Sequence, residues 1–290
     1  MRLSLSVVIL TMDEEQNLPV ALQSLAGLGV EVFVVDSGSS DGTIEIARSA
    51  GCTVASHDFT THATQLNWAL DNLPLESDWV MRLDADERLT AELAAELREK
   101  LARLPPDISG LMVKRRVYFW GRWIKHGGYY PTWLLRIWRR GSAVCEDRDM
   151  DEHMLIARGR IERLEHDIID ENRKGLGFWI DKHNRYAARE VAALGAAASE
   201  VDAARAGKSV ARKRFLKERL YGRSPRFLRA FFYWAYRYFF LLGFLDGKPG
   251  FVFHFLQGFW YRLLVDAKME EAERRNGHAA LNARKTQHIA

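Results

Sequence analysis

Three acidic clusters sit where an apolar run stops. Val32–Val35 lead into Asp36, and the turn behind it, Ser37–Gly42, is serine, glycine and a second aspartate before Thr43. Trp79, Val80 and Met81 lead through Arg82 and Leu83 to Asp84, Ala85, Asp86 and Glu87. Val7–Leu10 meet Thr11, with Asp13, Glu14 and Glu15 just beyond. Two aspartates separated by one loop residue can face one point. A hard cation such as Mg²⁺ takes one or two carboxylates together with substrate phosphates and neutralises charge on a phosphate leaving group. Alone, D-x-D is a weak signal that describes a solvated acidic turn better than a metal site. A carboxylate at a strand end can accept from a nucleobase or a ribose hydroxyl, and glycine behind it lets a ligand approach the backbone. The plainer reading makes Asp36 and Asp41 turn and cap residues. The turn lacks the glycine spacing of a dinucleotide fingerprint, which disfavours a nicotinamide enzyme.

The elements that must position these residues alternate. The spacing predicts strands at 4–10, 31–35, 52–56 and 78–84, and helices at 14–28, 41–51, 61–73 and 90–104, the last closed by Pro105 and Pro106. Strands alternating with helices imply a mostly parallel sheet covered on both faces, with ligands outside the carboxyl ends of the strands. All three acidic clusters fall at such ends. From 110 to 141 an aromatic, β-branched stretch with a glycine turn reads as strands and a loop continuing the same sheet. Residues 172–230 read as helical and basic, and 231–265 as aromatic and apolar, broken by Asp246–Gly250.

The chain has 290 residues, enough for a large core, and a formal charge of only +4, so it is no polycation overall. Its two cysteines, Cys52 and Cys145, form neither a disulfide framework nor a metal motif, which fits a reducing compartment. The N-terminal apolar run is brief and meets acidic residues at once, so a buried first strand is expected there and not a signal peptide.

Taken together, "SVVILTMDEEQNLP", "VFVVDSGSSDGT" and "WVMRLDADE", in this order and spacing, resemble the family 2 glycosyltransferases of the GT-A fold over about residues 4–155. The resemblance implies an inverting transferase using a nucleotide sugar and Mg²⁺ or Mn²⁺. It implies that Thr11, Glu14 and Asp36 hold the nucleoside, with Ser37 and Gly38 making room beside it. Gln65 and Asn67 fall near the diphosphate, where family members often carry an arginine at the first of these positions. Asp84 and Ala85 lie on the ribose or diphosphate side, and Asp86 binds the metal. Inversion needs a base for the acceptor hydroxyl. By the resemblance Glu152 is the first choice and Asp151 the second, with Glu146 and Asp147 competing. His153 completes the metal shell or is simply structural. The stretch 121–141 resembles lipopolysaccharide-core β-glucosyltransferases. His126, Gly127 and Gly128 would form an acceptor-side loop, Tyr129, Tyr130 and Trp133 would stack on sugar or belong to the core, and Arg136 or Arg139 would reach the leaving diphosphate.

The expected organisation is a catalytic domain at 1–170, with a donor part at 4–90 and an acceptor side at 110–155. A helical membrane-associating region at 171–270 and a charged tail at 271–290, frayed or disordered, complete it. Between Arg212 and Arg229 lie eight lysines and arginines and one glutamate. The aromatic run beyond reads as two helices lying in a membrane interface, joined by the Asp246–Gly250 turn, because each apolar half of about 15 residues spans only about 22 Å. A buried hairpin packed on the catalytic domain is the alternative. The expected partners are a nucleotide sugar, a lipid-linked or lipopolysaccharide-core acceptor and the anionic cytoplasmic face of the membrane. A polyprenyl-phosphate acceptor is the second enzyme reading. A nucleic-acid module is disfavoured by the acidic strand ends, and no feature of the sequence sets an oligomeric state.

Overall fold

The computed structural model describes residues 3–146, 153–196 and 225–287, with backbone alone at 193–196 and 276–287. The chain divides into two compact units, Met1–Gly175 and Leu176–Ala290.

The first unit is a mixed α/β sheet. Its strands are β1 (Leu5–Thr11), β2 (Glu31–Asp36), β3 (Thr53–Ser56), β4 (Trp79–Arg82), β5 (Glu87–Leu89), β6 (Ile108–Phe119), β7 (Arg122–Trp123), β8 (Thr132–Arg139) and β11 (Arg160–Asp170). They lie in the order β3-β2-β1-β4-β8-β6-β11-β5, with β7 folded onto β6. The first four strands are parallel. β8 enters antiparallel between β4 and β6. The stretch 110–141 thus continues the same sheet, as expected. A separate hairpin pairs β9 (Ala143–Cys145) with β10 (Met154–Ile156).

Alternation along the strands sends side chains to two cores. Val7, Ile9 and Val34 pack under α1 (Leu18–Leu25), α2 (Thr43–Ser49) and α4 (Ala91–Lys100). Val8, Phe33 and Val35 pack under α3 (His62–Asn72). The first helix is shorter than its pattern predicts. It begins at Leu18, with Pro19 in the first turn where its missing N–H is not needed, so Glu14–Gln16 belong to the loop.

The second unit is helical over its described residues: α5 (Gly175–Ala196), α6 (Leu228–Ala235), α7 (Gly247–His254) and α8 (Tyr261–Gln287). A π-helical stretch, Tyr236–Phe240, continues α6, and another, Phe255–Trp260, joins α7 to α8. Two expectations are corrected here. Asp246–Gly250 is not the turn between the apolar arms: α7 starts at Gly247 with Pro249 in its first turn, and the chain reverses at Leu241–Asp246, where Leu242 adopts φ 60°. The tail expected to fray is helical over its described residues: α8 runs to Gln287, with the i,i+4 pairs Arg274–Glu270 and Arg275–Glu271 along it.

Candidate functional site

The carboxyl ends of β1, β2 and β4 bring Thr11, Asp36 and the Asp84–Glu87 cluster to one edge of the sheet, because Thr11 pairs with Asp36 and Val8 with Arg82 in a common parallel register. Two loops interlock over that edge. Asp36 is buried, and its carboxylate accepts from Thr11 Oγ1 at 2.8 Å, Ser39 Oγ at 2.5 Å, Gly38 N at 2.9 Å and Ser39 N at 2.8 Å. A carboxylate offers about four acceptor positions, so Asp36 first holds its own turn. Gly38, at φ +88°, lets the turn curl back in the left-handed region. Asp13 Oδ1 accepts from Ser40 N, and Asp41 takes the Thr43 N–H and hydroxyl. Burial would raise the Asp41 carboxyl, but the Thr43 bonds outweigh it and the pKa falls.

Ser37 Oγ accepts from the buried Gln65 amide at 2.5 Å. Gln65 therefore sits beside the small-residue turn. Asn67 does something else. It exchanges two hydrogen bonds with the Cys145 backbone, at 2.9 and 2.8 Å, and so fastens β9 to α3 in place of facing a diphosphate.

At the end of β4 the charges are packed. Asp84 takes Arg82 Nε at 2.9 Å and Arg136 Nη2 at 2.8 Å. Arg136 also donates to Glu87 Oε1 at 2.5 Å. Burial alone would raise the Asp84 carboxyl; the guanidinium charges of Arg136 and Arg82 reverse this and hold it well below the usual carboxylate range. Burial pushes Glu87 up to about 7, Arg136 opposing and the charges of Asp84 and Asp170 assisting. Arg136, expected on the diphosphate, is instead a buried tie between two carboxylates. Arg139 is corrected more sharply. It pairs with Trp79 at the amino end of β4, stacks on that ring and donates to Ile108 O at 2.7 Å, at the far end of the sheet from Asp84.

Ala85 is buried in the core. Asp86, which follows it, accepts from Asn172 Nδ2 at 3.1 Å, and its carbonyl takes the Glu171 N–H. The segment after β11 thus straps the site. Lys174 reaches Glu14 Oε1 at 2.6 Å, the Glu14 side chain also accepts from Asn17, and Arg173 N bonds to Asn17 Oδ1. Burial raises the Glu14 carboxyl even against Lys174 and Asn17. Among the described residues no group of three metal-ligating side chains gathers. One accessible carboxylate fits the needs of Mg²⁺ or Mn²⁺ only when substrate phosphates supply further oxygens. His153 lies in the β9–β10 hairpin, its Nδ1 3.9 Å from Glu146 Oε2. Glu152, Asp151 and Asp147 lie outside the described residues.

The acceptor-side stretch forms the loop between β7 and β8. Gly127 and Gly128 adopt φ 69° and 74°, and Tyr129 O accepts from Thr132 Oγ1. The Tyr129 N–H is near His126 O at 3.5 Å. Tyr130 donates to the buried Asp167 at 3.0 Å, a residue that also binds Arg116. Trp133, expected either to stack on sugar or to belong to the core, lies against Arg163 and Lys114, so cations face its ring. The sequence reading missed Arg82 and Glu87, both inside the acidic motif, and Asn172 and Lys174, which no local signal marks.

The LpsC lipopolysaccharide core biosynthesis glycosyltransferase of Rhizobium meliloti is 34% identical over 151 residues, 49% of this chain and 53% of that protein. An uncharacterized glycosyltransferase of Rickettsia typhi is 34% identical over 93 residues, 32% of this chain and 31% of that protein. The chain thus spans about half of the length of the first of these relatives and about a third of the second. Among solved structures, Staphylococcus aureus TarS superposes with a TM-score of 0.49 at 15% identity, over 95% of this chain and 92% of that one. Glucosyl-3-phosphoglycerate synthase of Mycobacterium tuberculosis, solved with Mn²⁺ and uridine diphosphate, gives 0.32 at 23% identity over 39% and 44%. At these scores and identities the structural likeness assigns no residue a role. The description Glycosyl transferase family 2 matches residues 6–156, more than half of the chain, and the chain therefore belongs to that family.

Proposed function

We propose that this protein is an inverting glycosyltransferase. It moves one hexose from a nucleotide sugar, a UDP-sugar foremost, to a hydroxyl of a lipid-linked or lipopolysaccharide-core acceptor, working at the cytoplasmic face of the membrane. The observation that carries this reading is the convergence of Thr11, Glu14, Asp84 and Asp86 at one sheet edge of a family 2 domain. The likeness to LpsC supports the core acceptor.

In the proposed reaction the acceptor oxygen attacks the anomeric carbon as the bond to the diphosphate breaks. Its proton passes to a carboxylate of the 146–152 segment, Glu152 in our assignment. Asp86 would hold Mg²⁺ or Mn²⁺, which supplies positive charge to the departing diphosphate. Asn172 keeps the Asp86 carboxylate aimed, and the strap ending at Lys174 keeps Glu14 at the nucleoside side. Arg136 and Arg82 hold Asp84 ionised, so its charge is constant over working pH.

Thermal shift against UDP, GDP, CMP and TDP, with and without Mn²⁺, tests the donor site. A ligand that binds only the folded state raises the melting temperature by mass action. The expected result is a metal-dependent shift with one nucleotide, lost in Asp86→Ala. No shift with any of the four, or an undiminished shift in that variant, would overturn the donor assignment.

A further inference from the structure

Leu228, Phe232, Tyr236 and Phe240 recur every fourth residue along α6 and its continuation, so they share one face, and all four are exposed, Phe232 by 64% and Phe240 by 77%. At the reversal Leu242 and Leu245 are exposed too. On α7 Phe251 is exposed as well. An aromatic side chain carries about 150–250 Å², so the row offers on the order of 1,000 Å² of apolar surface, well above the 300–600 Å² usual for the largest patch on a soluble monomer.

The row is the outside of a finished hairpin and not a core left open. The arms close on one another through small residues. A Cβ on Gly243 would come within 2.8 Å of the His254 ring, and Gly258 lies against Trp234. Inside the unit His254 faces Asp246 at 3.4 Å, and Asp266 takes Arg229 and the Phe227 N–H. The aromatic interior, Trp234 against Phe255 and Phe259, is already formed.

We propose that this hairpin docks edge-on onto an anionic lipid surface, lying in the interfacial plane without crossing it. Length excludes a straight crossing: Leu228–Phe240 spans about 20 Å at 1.5 Å per residue, against roughly 30 Å of hydrocarbon. The two arms meet at a 71° bend, and among the described residues no single helix is long and apolar enough to cross. Phenylalanine and tyrosine suit headgroup depth. Charge selects the partner. Of the eight cationic residues between 212 and 229, Arg226 is paired with Glu273 and Arg229 with Asp266; the other six adjoin the row in sequence and attract anionic lipid, whereas a second copy seated on the row would bring two such runs together. The inference rests on the second unit alone and is independent of the donor-site reading.

The test uses the full chain with phosphatidylcholine vesicles, with and without phosphatidylglycerol. The wild type is expected to sediment with the anionic vesicles, and Phe232→Ser/Phe240→Ser to partition at least about tenfold more weakly. Its helical circular dichroism and melting temperature should be unchanged, showing that the fold is intact. Phe240→Ser alone, at the tip, should show an intermediate loss. Brominated lipids should quench tryptophan emission more with bromine near the headgroup than near the chain ends. No sedimentation of the wild type, equal sedimentation of the variants, or stronger quenching at the chain ends would overturn the proposal. So would a solution dimer that the double variant converts to monomer, since a second copy would then cover the row.

Discussion

Arg136→Met removes the cation that holds two buried carboxylates together. Arg136 donates to Asp84 and Glu87, and the loss falls unequally on them. Asp84 keeps Arg82 and a third of its side-chain surface in water, whereas the Glu87 side chain is 1% exposed and keeps the Asp84 N–H. Stranding a buried charge by removing its partner costs about 3–5 kcal/mol. The pH dependence separates the two carboxylates. In the wild type burial has already raised Glu87 to about 7, with Arg136 pulling it down. Without Arg136 its pKa climbs further. A carboxyl raised on folding lends stability that is complete below its unfolded value and is lost as pH rises through the folded value. Below pH about 7 both proteins lose stability with the same slope, and their difference is constant. Above it the wild type has released the proton and levels off. The variant continues to lose about 1.4 kcal/mol per pH unit until its own higher pKa is reached. Urea titrations from pH about 5.5 to 8.5, on the wild type and the variant, read this directly. Adding Glu87→Gln should remove the extra slope and recover part of the loss. A deficit below about 1 kcal/mol, or one that does not grow above neutrality, would refute the assignment of Arg136 as the tie that keeps Glu87 charged.

Asn172→Ala leaves Asp86 without its amide donor and should weaken Mn²⁺ binding in the presence of nucleotide by about 10–100-fold, measured by paramagnetic resonance of free Mn²⁺. Lys174→Met leaves Glu14 half-buried and short of a cation. Stability should fall by about 1–3 kcal/mol at pH 8 and recover on acidification, since burial already raises Glu14; a loss independent of pH would argue against the pair. Asn67→Ala removes both bonds to Cys145 and should speed hydrogen exchange at the Cys145 amide without changing nucleotide affinity. Arg139→Met, at the far end of the sheet, should leave the nucleotide-induced thermal shift intact.

Much of the donor edge is legible from local pattern. An apolar run that stops at Asp36 or Asp84 is a buried strand meeting solvent, and parallel strands in register must end together, so their terminal carboxylates share an edge whatever the rest of the chain does. Thr11 opposite Asp36 follows from the same register. What those carboxylates touch was not legible, because each partner arrives from elsewhere. The antiparallel entry of β8 decides between Arg136 and Arg139. Three residues apart on a strand, they point to opposite faces about 10 Å from one another, and the Met81–Ile137 register puts Arg136 beside Asp84. Asn172 and Lys174 reach Asp86 and Glu14 across 86 and 160 positions of sequence, a distance no spacing rule crosses. The apolar run at 231–265 was plain in the sequence, but composition alone cannot divide it into an inside and an outside. The close approach of Gly243 to His254 and of Gly258 to Trp234 makes that division, turning one set of aromatic rings into an interior and leaving Phe232 and Phe240 in water.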